Sequence, residues 1–473
     1  MLSVKSTTLN NTKTFLAFRL LFGVLFLNLF FTSSAQENSP YSRYGIGDLT
    51  PNTNILNRGM GGISAAYSDW LSVNFTNPAS YSLFKTFIEQ KTKKPISGRV
   101  ILDAGINFDN RTLREANNPQ KFTSPNAFFS YLQLGIPVKP NWGISLGLRP
   151  VSKISYRIFR GERLFDPVTQ LPIDSAVTEF TGEGGAFLAS AGTGIAIGNF
   201  SAGINFGYLF GKKDYSSRRS LINDSVQLQY IRGHYRTRTS LGDIFWSGGI
   251  QYKIDLNKEK KTSLKLGAFG NLEQNINAKQ DIVRETFVRS GDNGDTKLDS
   301  VFEQNNVKGT MVYPSGLGIG FILEKEQPEQ GNEGGWQAGV DFITNNWNSY
   351  RFFGAGDAVQ NSWELRAGAQ IKPSVSSRNY WSYVSYRGGV FVGQDYINVS
   401  GKLPVFGVSF GAGLPVLNLK DAGRRFRTQY TIVNISFEYI SRGNNNNLLK
   451  ESLFRFSAGF SLSDLWFSKR KYE

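Results

Sequence analysis

Residues 99–109, RVILDAGINFD, divide into two faces: Val100, Leu102, Ala104, Ile106 and Phe108 on one, Arg99, Asp103, Gly105, Asn107 and Asp109 on the other. Successive side chains of a strand point to opposite sides, so a period of 2 builds one apolar and one polar face into a single element. The pattern returns along the chain. Phe200, Ala202, Ile204, Phe206 and Tyr208 oppose Ser201, Gly203, Asn205 and Gly207. Trp363, Leu365, Ala367, Ala369 and Ile371 oppose Glu364, Arg366, Gly368 and Gln370, and Val433, Ile435, Phe437 and Tyr439 oppose Asn434, Ser436 and Glu438. Each run has about the 9 to 11 residues that a tilted strand needs to cross a bilayer. The fold class expected is an all-β membrane protein: an antiparallel transmembrane β-barrel of about 14 strands, closed so that no strand edge meets lipid.

Alternation marks fifteen segments, at 99–109, 126–139, 141–157, 184–197, 199–211, 226–238, 241–254, 262–275, 309–323, 334–345, 361–372, 382–393, 404–414, 428–440 and 453–463. Single-chain bacterial barrels have even strand numbers, so one segment is expected to be a loop or part of a plug. Short turns such as Lys139-Pro140-Asn141 and Gly198-Asn199 are expected on the periplasmic side. The long polar links Phe159 to Thr181, Lys212 to Asp224 and Asn277 to Lys308 are expected as extracellular loops.

Composition agrees with a barrel. The 473 residues include 50 Gly, 37 Phe and 20 Tyr, and no internal apolar run reaches the roughly 18 residues a spanning helix needs. Cysteine is absent and His234 is the only histidine, which removes disulfides, thiolate metal sites and most His-dependent chemistry. The formal charge is +16. Its basic residues, such as Arg157, Arg160, Arg232, Arg236, Arg238, Arg424, Arg425 and Arg427, are scattered without a nucleic-acid motif. Anionic outer-membrane lipid and lipopolysaccharide at the barrel rims are the expected partners, and nucleic acid is not.

Residues 1–35 read as a secretory signal peptide: Lys5, Lys13 and Arg19, an apolar core from Leu20 to Phe31, then Ser33-Ser34-Ala35 before the cut. The core is about a dozen residues, too short to span as a helix. The chain is then expected to divide into a plug at 36–95 and a barrel with long extracellular loops at 96–473. Tyr41 to Asp48 reads as ordered loop, either a tether on the barrel mouth or part of the plug. Within the plug, residues 58–84, RGMGGISAAYSDWLSVNFTNPASYSLF, break the period of 2. Gly59, Gly61 and Gly62 permit close backbone approach. Asn77 before Pro78 and Ala79 is a helix start, since Asn caps an orphan N–H and Pro at the first position has none to lose, so a short helix is expected from Pro78 to about Phe84.

This Gly-rich opening, with Asp69 and then Asn77-Pro78-Ala79, resembles the N-terminal hatch of the FadL family of outer-membrane transporters of long-chain fatty acids and other hydrophobic compounds. The C-terminal half resembles the same family: Val312-Tyr313-Pro314, Gly318 and Gly320, Trp336 to Asp341 with Asn346-Trp347, then 361–368 and 404–413. The resemblance implies 14 strands, a hatch with short helices, and a hydrophobic solute passing a plugged lumen in the outer membrane of a Gram-negative cell. In that family an interruption of the third strand opens the wall sideways. Pro150 lies in the third predicted strand and should kink or bulge it, so it is either a lateral gate or a bulge at the rim.

The inward residues Asp103, Lys265, Asp341, Glu364, Arg366 and Glu438 are polar, and a hydrophobic solute would not be held by such a wall. An apolar site is therefore expected from the plug and outer loops. Met60, Trp70, Phe75, Leu83 and Phe84 are the candidate ligand contacts, or else packing that seals the plug. No cofactor, metal or catalytic set is expected. His234 lacks an identifiable Ser partner in the sequence, so the chain reads as a non-enzyme. Asp292-Asn293-Gly294-Asp295 with Asp299 lacks the spacing of a calcium loop and reads as a hairpin tip. The competing function is a FadL-like scaffold or shuttle barrel in a protein-secretion or surface-assembly machine, with protein partners in the outer membrane. The chain ends on Trp466-Phe467 and a basic tail, Lys469-Arg470-Lys471.

Overall fold

The computed structural model describes residues 39–88, 95–115, 120–222, 231–289, 295–327, 333–376, 379–399, 401–416 and 429–466. The signal segment 1–35, the tip at Asp292 to Gly294, Arg424, Arg425, Arg427 and the tail from Phe467 lie outside them.

Fourteen wall strands follow one another around the barrel. They are β1 (Pro95–Glu115), β2 (Lys121–Lys139), β3 (Trp142–Phe165), β4 (Pro172–Ile197), β5 (Phe200–Ile222) and β6 (Arg232–Asn257). Next come β7 (Thr262–Asn271 continued by Gln274–Arg289), β8 (Asp295–Tyr313 continued by Gly316–Lys325), β9 (Gly335–Asn345) and β10 (Ser362–Lys372). The last are β11 (Ser385–Gln394), β12 (Pro404–Pro415), β13 (Gln429–Arg442) and β14 (Leu449–Trp466). All ladders are antiparallel, and β14 pairs back onto β1 from Leu449↔Glu115 to Trp466↔Gly98, which closes the sheet.

The fifteenth predicted segment is neither loop nor plug. Residues 226–230 lie outside the described residues; from Arg232 on, segment 226–238 belongs with 241–254 to one strand, β6, whose ladder with β5 runs unbroken through Lys213↔Thr239 and Lys212↔Ser240. The long polar links are also strands: β3, β4, β5 and β6 have 24, 26, 23 and 26 residues, whereas β9 to β12 have 10 to 12. A spanning strand needs only about 9 to 11, so roughly a dozen residues of each long strand rise beyond the membrane as a half-collar. The convex face of that collar meets water and not lipid, while its concave face packs on the plug low down, as at Tyr156 and Lys213, and opens above, which removes the alternation although the hydrogen-bond ladder continues.

Within the membrane band the two faces sort as the sequence pattern requires. Phe206, Tyr208, Ile244, Ile250, Phe321 and Phe437 are exposed to lipid, whereas Asp103, Asn205, Gln251, Asp341, Asn434 and Ser436 are buried inward. Residues 39–88 fill the lumen. Ser39 N–H donates to the Ser155 carbonyl, and Tyr41 Oη donates to the Leu449 carbonyl at the outer rim. At the other end Thr86–Ile88 pairs with the start of β1. Between them lie the short helix α1 (Ile55–Arg58) and a 3-10 helix, Pro78–Leu83. The second is the predicted helix in tighter form, with the Asn77 side chain accepting from Ala79 N–H.

Inward glycines let the plug backbone lie directly on the wall. A Cβ at Gly368 would stand 2.0 Å from the Met60 carbonyl oxygen, and one at Gly389 would stand 2.1 Å from Gly61 N. Both distances are far inside van der Waals contact, so these wall positions exclude any side chain.

Candidate solute cavity and lateral seam

The plug is fixed to the wall by buried polar side chains. Arg58, only 2 % exposed, donates from Nη1 to Asn107 Oδ1 at 2.5 Å and Ser457 Oγ at 3.2 Å, from Nη2 to Ser130 Oγ, and from Nε to the Thr53 carbonyl at 3.1 Å. Burial pulls its guanidinium pKa down to about 10, which still leaves it charged at neutral pH. Ser130 reaches Arg58 because it is the extra residue of a bulge: Gly105 pairs with Tyr131 and Ile106 with Phe129. Asp341 Oδ2 accepts from Ser64 N–H at 2.6 Å and Ala65 N–H at 2.8 Å, and Asp103 Oδ2 accepts from Val73 N–H at 3.2 Å. Of the predicted polar lumen residues, Asp103, Asp341 and Arg366 thus partner plug backbone, Lys265 donates to the plug's Ser68 Oγ at 3.2 Å, and Glu364 and Glu438 line the cavity above.

The plug residues singled out by sequence have distinct places. Gly59 lies against Gly411 and Gly62 against Arg366, while Gly61, at φ +68°, sits over Ala367 and Val390 and donates to Ser409 Oγ at 2.8 Å. Asp69 accepts from Tyr67 Oη and Leu71 N–H. Asn77 Nδ2 donates to the carbonyls of Ala65, Ile250 and Ala268, tying the plug to β6 and β7, with Pro78 and Ala79 buried behind it.

A cavity of about 310 Å³ lies between the plug and the outer cap. Leu188, Leu209, Phe245, Phe269 and Tyr313 of the wall and Phe75 of the plug form its apolar side; Arg58, Glu364, Arg366, Glu438 and Arg455 form its ionic side. Of the five plug residues expected to touch a ligand, Phe75 lines this cavity. Met60 packs with Leu56, Ile63 and Tyr67, and Phe84 packs with Val73, Tyr81 and Ile101. Leu83 is 43 % exposed, and Trp70 lies beneath Lys85 and Arg99. The expectation that the wall cannot hold an apolar group is corrected: above the plug, the inward positions of β4, β5 and β6 are Leu188, Leu209 and Phe245. Arg149 stands beside them, 5.4 Å over the Phe75 ring, and makes no hydrogen bond or ion pair among the described residues.

The wall is interrupted next to this cavity. The β2–β3 ladder runs from Lys139↔Trp142 to Leu132↔Leu148 and stops there, one residue before Arg149 and two before Pro150. On its other side β3 continues with β4, with a bulge at Val151 between Pro150↔Phe187 and Ser152↔Ala186. The plug takes the vacated position beside β3. Asp48 and Leu49 pair with Lys153 and Ser152, Thr50 N–H donates to the Val151 carbonyl, and Thr50 Oγ1 donates to the Pro150 carbonyl at 2.8 Å. Leu49 is 38 % exposed in this seam.

Asp48 is held there by two arginines, Arg111 and Arg442, the latter at 2.9 Å. Arg111 also pairs with Glu451 at 2.7 Å, and Arg442 with Asp395 at 2.8 Å. Burial alone would push the Asp48 pKa up, but Arg111 and Arg442 outweigh it and bring it to about 2. Above the cavity, Tyr41 to Asp48 forms the cap. The Gly45 carbonyl accepts from Lys213 Nζ at 2.7 Å and Tyr350 Oη at 3.0 Å, and the Gly47 carbonyl accepts from Tyr396 Oη.

His234 has a neighbour that sequence did not reveal. Its Nδ1 is 2.8 Å from Glu285 Oε1 and its Nε2 is 3.4 Å from Ser216 Oγ, because β5, β6 and β7 are adjacent. Ser216 lies mid-strand, in register with Thr181 on one side and Arg236 on the other, so the ladders occupy the backbone donors that an oxyanion would need. The trio ties three collar strands together.

Among curated proteins no relative matches the chain. The fold is that of a FadL homologue of Pseudomonas aeruginosa, at 11 % identity and a TM-score of 0.53 over 89 % of this chain and 100 % of that one. The CymD monoaromatic hydrocarbon channel aligns at 14 % identity and TM-score 0.48 over 90 % and 100 %. The Pseudomonas putida toluene transporter TodX aligns at 13 % and 0.48 over 88 % and 99 %. The family model that matches is BamG, over residues 18–473, and the chain belongs to the BamG family.

Proposed function

We propose that this is an outer-membrane barrel of a Gram-negative cell that, after removal of the signal peptide 1–35, passes hydrophobic small molecules such as long-chain fatty acids. The solute rests in the cavity and leaves sideways into the bilayer past Leu49, between β2 and β3. The observation that carries this reading is the end of the β2–β3 ladder at Leu132↔Leu148, beside a cavity whose apolar side faces the seam residues. An apolar molecule on this route never crosses water, and Arg149 meets a carboxylate at the mouth. Outer-membrane lipid and lipopolysaccharide surround the rims.

The test is oleate binding to the purified barrel and oleate uptake by cells, comparing the parent with Phe75→Arg. The variant places a cation on the apolar side and should lower both by about tenfold, the cost of misplacing a charge against apolar groups being above 1.4 kcal/mol. Unchanged binding and uptake would remove the solute reading.

A second reading is favoured by family membership. As a BamG protein with a plug bonded to the wall along its whole length, the chain also suits a fixed subunit of an outer-membrane assembly machine. Co-purification of outer-membrane proteins with the intact barrel, alongside failure to bind oleate, selects this reading over the first.

A further inference from the structure

Above the cap the collar carries one continuous rung. Ile158 pairs with Phe180, Phe180 with Ser217, Ser217 with Tyr235, Tyr235 with Arg284 and Arg284 with Phe302, so the six residues share a register row across β3 to β8. The row faces the barrel axis. One rung lower on the same face, Tyr156 and Tyr215 have ring centroids 6.0 Å apart, and Tyr215 Oη donates to the plug carbonyl of Arg43 at 2.9 Å. The Arg43 guanidinium lies 5.8 Å over the Phe180 ring.

Arg284 is stacked between two rings, 5.6 Å from the Tyr235 centroid and 5.5 Å from that of Phe302. Both rings remain open: Tyr235 is 54 % exposed and Phe302 is 43 % exposed. Lipid does not account for them, because lipid lies against the convex face and these side chains point to the axis. The cap does not account for them either, since it reaches Phe180 and stops. One rung farther out, Arg160 and Arg219 face the same space, and of the two Arg219 is paired with Glu162. Two acids, Glu162 and Asp299, face the same space, so on these rungs the concave face is aromatic with Arg43, Arg160, Arg219 and Arg284 outnumbering the carboxylates, and aromatic rings with Arg are the composition that carries binding energy in protein interfaces.

We infer that the concave collar face docks an extended polypeptide segment of a partner protein, rich in acidic residues and bearing aromatic side chains. Its carboxylates meet Arg284, Arg160 and Arg219, and its rings extend the Tyr235–Arg284–Phe302 stack. The inference gives the assembly reading a surface, and it rests on that reading for the partner being a protein.

The experiment uses the full barrel in detergent micelles and three probes: a random copolymer of glutamate and tyrosine, polyglutamate, and dextran sulfate. The copolymer should bind about tenfold tighter than polyglutamate, and Tyr235→Ala and Phe302→Ala should each weaken it by about tenfold, the scale of one hot-spot side chain. Arg284→Ala should weaken both peptides, and Arg284→Lys should restore polyglutamate but not the copolymer preference. Unchanged heat-modifiable mobility on gels shows that each variant is folded. Dextran sulfate binding as tightly as the copolymer, with the aromatic variants unaffected, would reduce the face to a polyanion surface and overturn the inference; so would no binding of any probe. Loss of co-purifying outer-membrane proteins in variants that still bind the copolymer places the partner elsewhere: the inference fails while the assembly reading stands.

Discussion

Replacing Arg58 by methionine keeps a long stem in the plug and removes its charged donors. The parent side chain holds Asn107, Ser130, Ser457 and the Thr53 carbonyl, which come from β1, β2, β14 and the plug itself. Each hydrogen bond from a charged group contributes roughly 1.5 to 3 kcal/mol, and the buried acceptors left behind add to the loss. Relief from burying the guanidinium, seen in its depressed pKa, offsets part of this. A net loss of about 3 kcal/mol corresponds to roughly two decades in the plug-opening equilibrium. Amide hydrogen exchange of residues 53–65 in detergent reads that equilibrium directly, and it should speed up by about a hundredfold while β9 to β13 keep their protection. Exchange that is unchanged would refute the idea that Arg58 clamps the plug, and equal acceleration across the wall would show that Arg58 holds the barrel and not the plug.

Three further outcomes follow from the same contacts. Asp48 has a pKa of 3.8 when free and about 2 in place, so its stabilisation of the seam strand is complete above about pH 4 and lost as pH falls toward 2; proteolysis near residues 39–50 should be flat from pH 7 to 4 and rise below, and Asp48→Asn should be susceptible throughout. Gly368→Ala forces a Cβ onto the Met60 carbonyl and should loosen residues 58–63 by about 1 to 3 kcal/mol, read as faster exchange there; a silent variant would mean that the plug is free to shift. His234→Ala should raise exchange in the collar parts of β5, β6 and β7 by a factor consistent with about 1 kcal/mol, leaving oleate uptake unchanged; loss of an activity would give the Ser216–His234–Glu285 trio a chemical role.

Much of the barrel was legible because lipid on one side and lumen on the other impose a period of 2 that runs such as 99–109 and 429–442 display openly. The collar was not, since the convex face of 152–165, 172–185 and 212–222 meets water and not lipid, and its concave face mixes plug-facing residues such as Ser152, Tyr156 and Lys213 with open ones, which removes the pattern while the backbone ladder persists. The split of β6 at Thr239-Ser240 has the same origin: two small polar residues in succession look like a turn, yet register with β5 and β7 carries the strand through. In the plug, glycine and the Asn77-Pro78 cap announced close packing and a helix start, but the wall glycines that receive it, such as Gly368 and Gly389, read only as small residues on the polar face. Arg58 stood at the head of the quoted plug stretch without a role, because its wall partners are 49 to 399 positions away in sequence. Pro150 did signal an irregular third strand. That the neighbouring ladder stops at Leu148, and that a plug strand replaces it, depends on pairing no local pattern encodes.

The course of the plug also constrains the order of biogenesis. Ser39 is bonded at the outer rim, yet β1 begins at the opposite end, so the N-terminal segment threads the entire lumen before the wall starts. A cylinder already sealed along β14 and β1 would have to admit that segment lengthwise past Arg58, Asp341 and the glycine sockets. Closing the last seam around a segment already lying in place avoids that passage, and on this order residues 39–88 serve as the mandrel on which the wall is wound.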